Sequence, residues 1–328
     1  MVIERLAVES VCVFSHSFAS ESGPVIAMLQ SFVPDDDRPA FEEWNKAMRT
    51  LIRRLSKVPN YVRRFGLWSG LRLLFQIERT LPSKSESVRT YRVPGYPDPV
   101  YLRESISDHA AFWQCLVLNQ YEFRRFPQSK QLMECYQTAM AKGVHPLIID
   151  CGGNIGLATI WFAAAFPQAK IFVIEPEKGN LEILRRNTRH FGERVTVLEG
   201  GIWNESGRLH IVNPDSGAMA FRVTAASSTQ LDSMRAYTVD EVCALAKSEA
   251  PFIVKLDIEG AQRNLFLSNT DWVGRTDLIT LELDDWLLPW QGTSRTFFSC
   301  ISKFPYEYLL NVESIFCFRD RGPPTNPN

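Results

Sequence analysis

Apolar residues recur at three- and four-residue spacing in the first third of the chain. In the second half they gather instead into short unbroken runs. From about Pro39, the residues Met48, Leu51, Ile52, Leu55 and Val58 keep a helical period, and Pro59 is expected to end that helix. A second helical stretch carries Phe65, Trp68, Leu71, Leu74 and Phe75 on one side. Pro94, Gly95, Pro97 and Pro99 punctuate residues 91–103 between short β-prone pieces, which predicts a hairpin or extended turn. Ser107-Asp108 reads as the N-cap of a helix running to about Tyr121. Residues 1–37 are irregular, end in Asp35-Asp36-Asp37, and are expected to form an arm.

The second half alternates strands and helices. Leu147-Ile148-Ile149, Ile171–Ile174, Val195–Leu198, Phe252-Ile253-Val254 and Leu278–Leu281 are continuous apolar runs. Helical patterns separate the earlier ones, over Leu157 to about Phe166 and about 179–191, and residues 200–236 read as irregular. A parallel sheet covered on both faces requires strands of this kind. Tyr306–Leu310 and Ser314–Phe318 lie too close for a helical crossover and should pair antiparallel. The expectation is a doubly wound α/β domain over about 127–320, with a helical region over 38–126 before it and a tail at 321–328.

Composition narrows the function classes. The chain has 328 residues, 45% hydrophobic and 22% charged, close to the globular average. With 36 Lys+Arg against 37 Asp+Glu the net charge is -1, which removes any global electrostatic case for nucleic-acid binding. Seven cysteines and five histidines are dispersed, with no C-x-x-C or H-E-x-x-H spacing, so neither a zinc site nor a disulfide scaffold is indicated. Glu4, Arg5, Glu9 and Ser10 interrupt any signal-peptide core, and no apolar run is long enough to span a membrane. A cytoplasmic protein is expected.

Asp150-Cys151-Gly152-Gly153-Asn154-Ile155-Gly156 stands where the first strand of the α/β domain hands over to a helix. Ligands of open α/β sheets bind beyond the carboxyl ends of the strands, and glycines there permit a close backbone approach. The next strand ends in Glu175, 175 − 156 = 19 residues after the last glycine, a separation suited to an acid that bonds ribose hydroxyls. A nucleoside-containing cofactor is therefore indicated. A dinucleotide fingerprint would carry glycine where Asn154 stands, and Asp150 at that mouth would repel a pyrophosphate. An ammonium or sulfonium cation suits such a mouth better.

Asp150-x-Gly152-x-Asn154-x-Gly156 followed by Glu175-Pro176 resembles the cofactor motifs of class I S-adenosylmethionine-dependent methyltransferases. Lys255-Leu256-Asp257-Ile258-Glu259-Gly260-Ala261 further resembles the K-x-D-x-E-G-x signature of the FkbM family among them, and Tyr237–Glu241 its preceding T-L-D-D segment. The likeness covers about residues 147–284. Gln262 departs from it, standing where the family usually has Glu. The resemblance implies a Rossmann-like seven-stranded sheet with an antiparallel last strand, and O-methylation of sugar or polyketide hydroxyls. It also implies cofactor contacts from Asp150, Gly152, Gly153, Asn154, Gly156, Glu175 and Pro176, with Asp150 near the methionine amino group and Glu175 on the ribose.

Lys255, Asp257 and Glu259 alternate at the end of a buried strand and share one face if the strand extends that far. Asp257 is the expected base or acceptor-orienting group, with Lys255 fixing its charge state. The plainer alternative is that these acids cap the following helix. Glu282 and Asp284 close the next strand and could complete an oxygen site for a divalent cation, although none is expected. Arg103, Asp108, His109 and Tyr121 upstream, together with Glu282 and Asp284, are candidate acceptor contacts.

Between Arg49 and Arg79 stand eight Lys/Arg and one acid, Glu78, along the apolar stripe. Such a segment could lie on an anionic membrane face, or pack on the catalytic domain or a second subunit with its charges wet. The reading that unites these features is an S-adenosylmethionine-dependent O-methyltransferase acting on a sugar, glycan or glycosylated metabolite. A nicotinamide-dependent oxidoreductase is disfavoured by Asn154 and by the late start of the first strand. A methyltransferase-like binding module without turnover is the non-enzymatic alternative.

Overall fold

A computed structural model describes residues 38–78, 87–211, 223–225, 233–311 and 313–322. The arm expected over 1–37 and the tail from 323 lie outside the described residues. In chain order the first elements are α1 (Arg38–Phe65), α2 (Leu67–Glu78), β1 (Val88–Tyr91), β2 (Val100–Arg103), α3 (Ile106–Phe112) with a π-helical turn over Trp113–Val117, and α4 (Ser129–Ala141). Then come β3 (Leu147–Cys151), α5 (Leu157–Ala165), β4 (Lys170–Glu175), α6 (Lys178–Thr188), β5 (Val195–Glu199), β6 (Gly201–Ile202), β7 (Gly207–Ile211), β8 (Val223–Ala225) and β9 (Met234–Tyr237). The remainder is α7 (Val239–Ala246), β10 (Pro251–Leu256), α8 (Gln262–Leu265), β11 (Leu278–Glu282), α9 (Thr293–Ile301), β12 (Tyr306–Asn311) and β13 (Ser314–Arg319). The chain divides into two compact units, residues 1–81 and 82–328, so β1, β2 and α3 fall in the second.

In the first unit, α1 runs through Pro59 rather than stopping there. A proline removes one intrahelical hydrogen bond. Packing of the turns beyond it offsets that loss: Tyr61 is buried, and a Cβ on Gly70 would lie 2.5 Å from the Tyr61 carbonyl oxygen, so only glycine lets the two helices approach. The helix ends at Gly66, whose φ of +81° places it in the left-handed region common at helix C-termini. On α2 the buried residues are Gly70, Leu73 and Ile77, while Trp68 and Phe75 of the expected stripe are exposed. The close approach at Gly70 selects the contact face over the side with the largest apolar residues.

The second unit is built on a seven-stranded sheet of order β12-β13-β11-β10-β3-β4-β5. Strands β10, β11, β3, β4 and β5 are mutually parallel, and β13 runs antiparallel to both β11 and β12. All residues of β3 and β10 are buried, as continuous apolar runs covered on both faces require. Strand order reverses between β3 and β10, which opens a ligand crevice beyond their carboxyl ends. The segment read as irregular contains a second sheet of order β6-β9-β7-β8. Its strands have two to five residues and partly polar faces, too short to show a period. The cap of α3 is Ser105, two residues earlier than expected, and its hydroxyl accepts from the Asp108 amide at 3.1 Å. That helix stops at Phe112 and passes into the π-helical turn instead of continuing to Tyr121.

Candidate active site

The turn after β3 is shaped by glycine. Gly152 has φ of +78°, and a Cβ there would meet the Asp257 carbonyl oxygen at 1.8 Å, so any side chain would force the β3 and β10 turns apart. The Asp257 amide donates to the Cys151 carbonyl at 3.1 Å, which locks the two turns together. They form the floor of a cleft lined by Gly152, Asn154, Glu175, Pro176, Asp257 and Glu259, among others.

Glu175 is held from three sides. Its Oε2 accepts from the Asn154 amide at 2.8 Å, and its Oε1 from the Glu177 amide at 3.0 Å and Asn180 Nδ2 at 3.3 Å. Burial nevertheless pushes its pKa up to about 7, against the pull of those donors. Asn180 owes its orientation to Arg103, whose Nη2 donates to Asn180 Oδ1 at 2.6 Å. Arginine offers donors only, so the amide oxygen must face it and the NH2 must face Glu175. Asp108, fully buried, fixes Arg103 through Nη2 at 2.8 Å and Nε at 3.1 Å. Arg103 and Asp108, expected to touch an acceptor, thus brace the cleft from behind.

Lys255 carries the second network. Its Nζ donates to the Gly152 carbonyl at 2.6 Å and pairs with Asp150 Oδ1 at 3.0 Å, with Asp257 Oδ2 at 3.6 Å. Burial opposes the ammonium charge, but Asp150 and then Asp257 outweigh it and hold the pKa above the ordinary lysine value. Asp150 Oδ2 accepts from Thr159 Oγ1 at 2.6 Å. Asp150 is fully buried beneath the turn, paired with Lys255, and is not among the residues lining the cleft.

The β10 and β11 ends are organised differently. Glu259, at φ of +50°, has its pKa raised to about 8 by burial first and then by Asp257, Asp284 and Glu282. Glu282 is likewise raised to about 8 by burial and by Asp257 and Glu313. Gln120 Nε2 donates to Glu282 and, at 2.9 Å, to Ser314 Oγ. Asp284 is raised to about 6 by burial, although the Gly260 amide donates to its Oδ2 at 2.8 Å. Gln262, the departure from the expected acid, accepts from the same amide at 2.8 Å and donates to the Glu282 carbonyl at 3.1 Å.

Of the residues expected at the cofactor, Gly152, Asn154, Glu175 and Pro176 line the cleft, and Asp257 and Glu259 of the signature join them. Gly153 and Gly156 shape the turn without lining it. Tyr121 is buried with its ring centroid 5.4 Å from that of Phe162, and neither it nor His109, Glu282 or Asp284 lines the cleft. Sequence reasoning missed Asn180, the Gly200-Gly201-Ile202 segment, Ile258 and Ala261. The glycine pair directly after the third apolar run was the available signal. Among the described residues, no group of three or more His, Cys, Asp or Glu is arranged to hold a metal ion. None of the described helices is long and apolar enough to cross a membrane.

Comparison with known proteins gives three findings. The family model for the Methyltransferase FkbM domain matches residues 150–287. Methyltransferase sdnD of Sordaria araneosa is 34% identical over 77 residues, which are 23% of this chain and 29% of that protein. The chain therefore matches less than a third of that relative's length. Among solved structures, methyltransferase FkbM from Methylobacillus flagellatus KT is 16% identical with a TM-score of 0.38, covering 53% of this chain and 43% of that one. A putative caffeoyl-CoA O-methyltransferase from Staphylococcus aureus is 12% identical with a TM-score of 0.32, covering 57% and 82% respectively.

Proposed function

Residues 150–287 belong to the methyltransferase FkbM family, and from that premise we propose that the chain is an S-adenosylmethionine-dependent O-methyltransferase whose acceptor is a hydroxyl of a sugar, glycan or glycosylated or polyketide metabolite. The observation that carries this reading is the acid-lined cleft at the switch point, with carboxylates of Glu175, Asp257 and Glu259 and no cationic side chain in its lining. Such a lining suits a cationic cofactor and opposes a pyrophosphate. Asn154 Oδ1 is buried there without a hydrogen-bond partner, which is the kind of orphaned acceptor a bound ligand's donor would satisfy.

When bound, S-adenosylmethionine supplies an electrophilic methyl group on a sulfonium. The residues divide the remaining work. Glu175, already holding three donors, keeps one acceptor site, on Oε2, for a ribose hydroxyl, and Ile174, Ile202 and Ile258 offer apolar surface to a base. Asp257 is the cleft carboxylate with a cation 3.6 Å away and its side chain 38% exposed, so it can reach an entering alcohol. It would orient the hydroxyl and accept its proton, a task of positioning and proton acceptance. Lys255 keeps that carboxylate in place.

Titration calorimetry tests the cofactor: S-adenosylhomocysteine binding with none for NADH is expected, and the reverse would overturn the reading. A labelled-methyl transfer screen against glycosides and other hydroxylated metabolites tests the acceptor. Asp257→Asn should then lose about 10²–10⁴-fold in transfer while keeping S-adenosylhomocysteine affinity. Full activity in that variant would reassign the base.

A further inference from the structure

The helical hairpin of the first unit carries charge and apolar surface that the cleft does not use. Leu51, Ile52 and Leu55 lie on one face of α1, exposed by 49%, 51% and 58%. Helical spacing puts them on a different face from Tyr61 and Lys57, through which α1 meets α2. On α2, Leu67 and Trp68 are exposed as well, Trp68 by 80%. Arg53, Arg63 and Arg72 are exposed beside these apolar positions, and Arg54 is half-buried. Residues 38–78, the two helices, hold nine Lys/Arg and three acids, so the hairpin carries 9 − 3 = +6. One of the acids, Glu78, is already paired with Lys57 at 2.6 Å. With a whole-chain charge of -1, the other residues carry −1 − 6 = −7.

We propose that the α1–α2 hairpin docks this protein on an anionic lipid bilayer, with Leu51, Ile52, Leu55 and Trp68 entering the interface and the arginines meeting the headgroups. An exposed apolar stripe flanked by arginine on a segment of net positive charge is the composition of a helix that lies in a bilayer surface. Tryptophan favours the headgroup level, and arginine reaches anionic headgroups while its stem stays on apolar surface. Charge decides between occupants. A second copy would set one +6 surface against another, whereas anionic lipid complements it.

Co-sedimentation of the full chain at low salt tests this, with vesicles of phosphatidylserine in phosphatidylcholine against phosphatidylcholine alone. The protein should pellet with the anionic vesicles only and be released as salt rises. Each of Arg53→Gln, Arg54→Gln and Arg72→Gln should weaken binding about fivefold, corresponding to about 1 kcal/mol per basic residue near the surface. Leu55→Glu and Trp68→Glu, both at exposed positions, should abolish it without moving the unfolding transition. Equal pelleting with both vesicles, or none with either, overturns the proposal. So does a dimer in size-exclusion chromatography that Leu55→Glu dissociates without any vesicle binding by the parent chain.

Discussion

Two sets of carboxylates stand at the carboxyl ends of one sheet, and they live under opposite conditions. At β3 and β4, Asp150 and Glu175 are buried but supplied: one by Lys255 and Thr159, the other by two backbone amides and an asparagine. At β10 and β11, burial and neighbouring like charge, Asp257 above all, raise Glu259, Glu282 and Asp284, and the donors from Gln120 to Glu282 and from the Gly260 amide to Asp284 do not offset this. Supplied acids hold a shape. The β10–β11 acids, crowded by like charge, hold protons, Glu259 and Glu282 up to about pH 8, where Glu175 does so only up to about 7. They give them up when a cation arrives. The cleft uses both kinds, one to set its frame and the other to favour a positively charged occupant.

Removing the counter-ion of the supplied set should have the largest effect. Lys255→Met leaves Asp150 charged and dry, and breaking a buried pair in this way costs about 3–5 kcal/mol. Urea unfolding should show a matching loss, partly restored in the double variant Asp150→Asn/Lys255→Met. A loss below about 1 kcal/mol would mean that the pair does not frame the cleft and would erase the distinction between the sets. A smaller effect is expected one step further out. Asn180→Ala removes a donor from Glu175 and the acceptor of Arg103, so S-adenosylhomocysteine affinity measured by calorimetry should fall up to about tenfold, and stability should fall by about 1–3 kcal/mol, less than for Lys255→Met.

The crowded set makes a prediction in pH. Glu259 and Glu282 are raised from the usual carboxylate range to about 8, and Asp284 to about 6. The native state therefore binds more protons than the unfolded chain between roughly pH 4.5 and 8, and stability must fall as pH rises through that window. Thermal melts from pH 5 to 8.5 should show the decline, and Glu259→Gln should flatten it and raise the melting temperature most at the alkaline end. Affinity for a cationic ligand should move the opposite way and improve with pH, because the ionised acids attract it. A melting curve independent of pH would place these groups in better-solvated surroundings than the cleft provides.

The sheet was legible in the sequence because buried parallel strands are written as unbroken apolar runs, and each such run from Leu147 to Leu281 became a strand. The glycine turn, Glu175 and the Asp257–Glu259 pair were legible for a related reason, since they interrupt those runs at their carboxyl ends. What failed to show were effects of pairing. Nothing local announces that Lys255 binds Asp150, 105 residues earlier, beneath the turn (255 − 150 = 105). Arg103 and Asp108 were acceptor candidates from their place upstream of the α/β domain, yet each is the other's partner, a pairing that no local pattern shows. Asn180 escaped notice because its role depends on Arg103, 180 − 103 = 77 residues away. On α1 and α2 the apolar stripes were visible, but the contact face was chosen by a glycine rather than by the stripes.

The finest test of the contrast lies at Gln262. It stands beside the crowded acids, and as an amide it both accepts from the Gly260 amide and donates to the Glu282 carbonyl. Glutamate, the residue usual here in the resembling family, could keep only the accepting half when ionised and would add a further negative charge among acids already raised by repulsion. Gln262→Glu should therefore cost about 1 kcal/mol near pH 8, the size of one lost hydrogen bond, and less near pH 5, where the new acid can be protonated and donate. Urea unfolding at the two pH values measures the difference. A loss equal at both would locate the effect in packing, and a gain at pH 8 would mean that the β10–β11 acids are not in conflict at all.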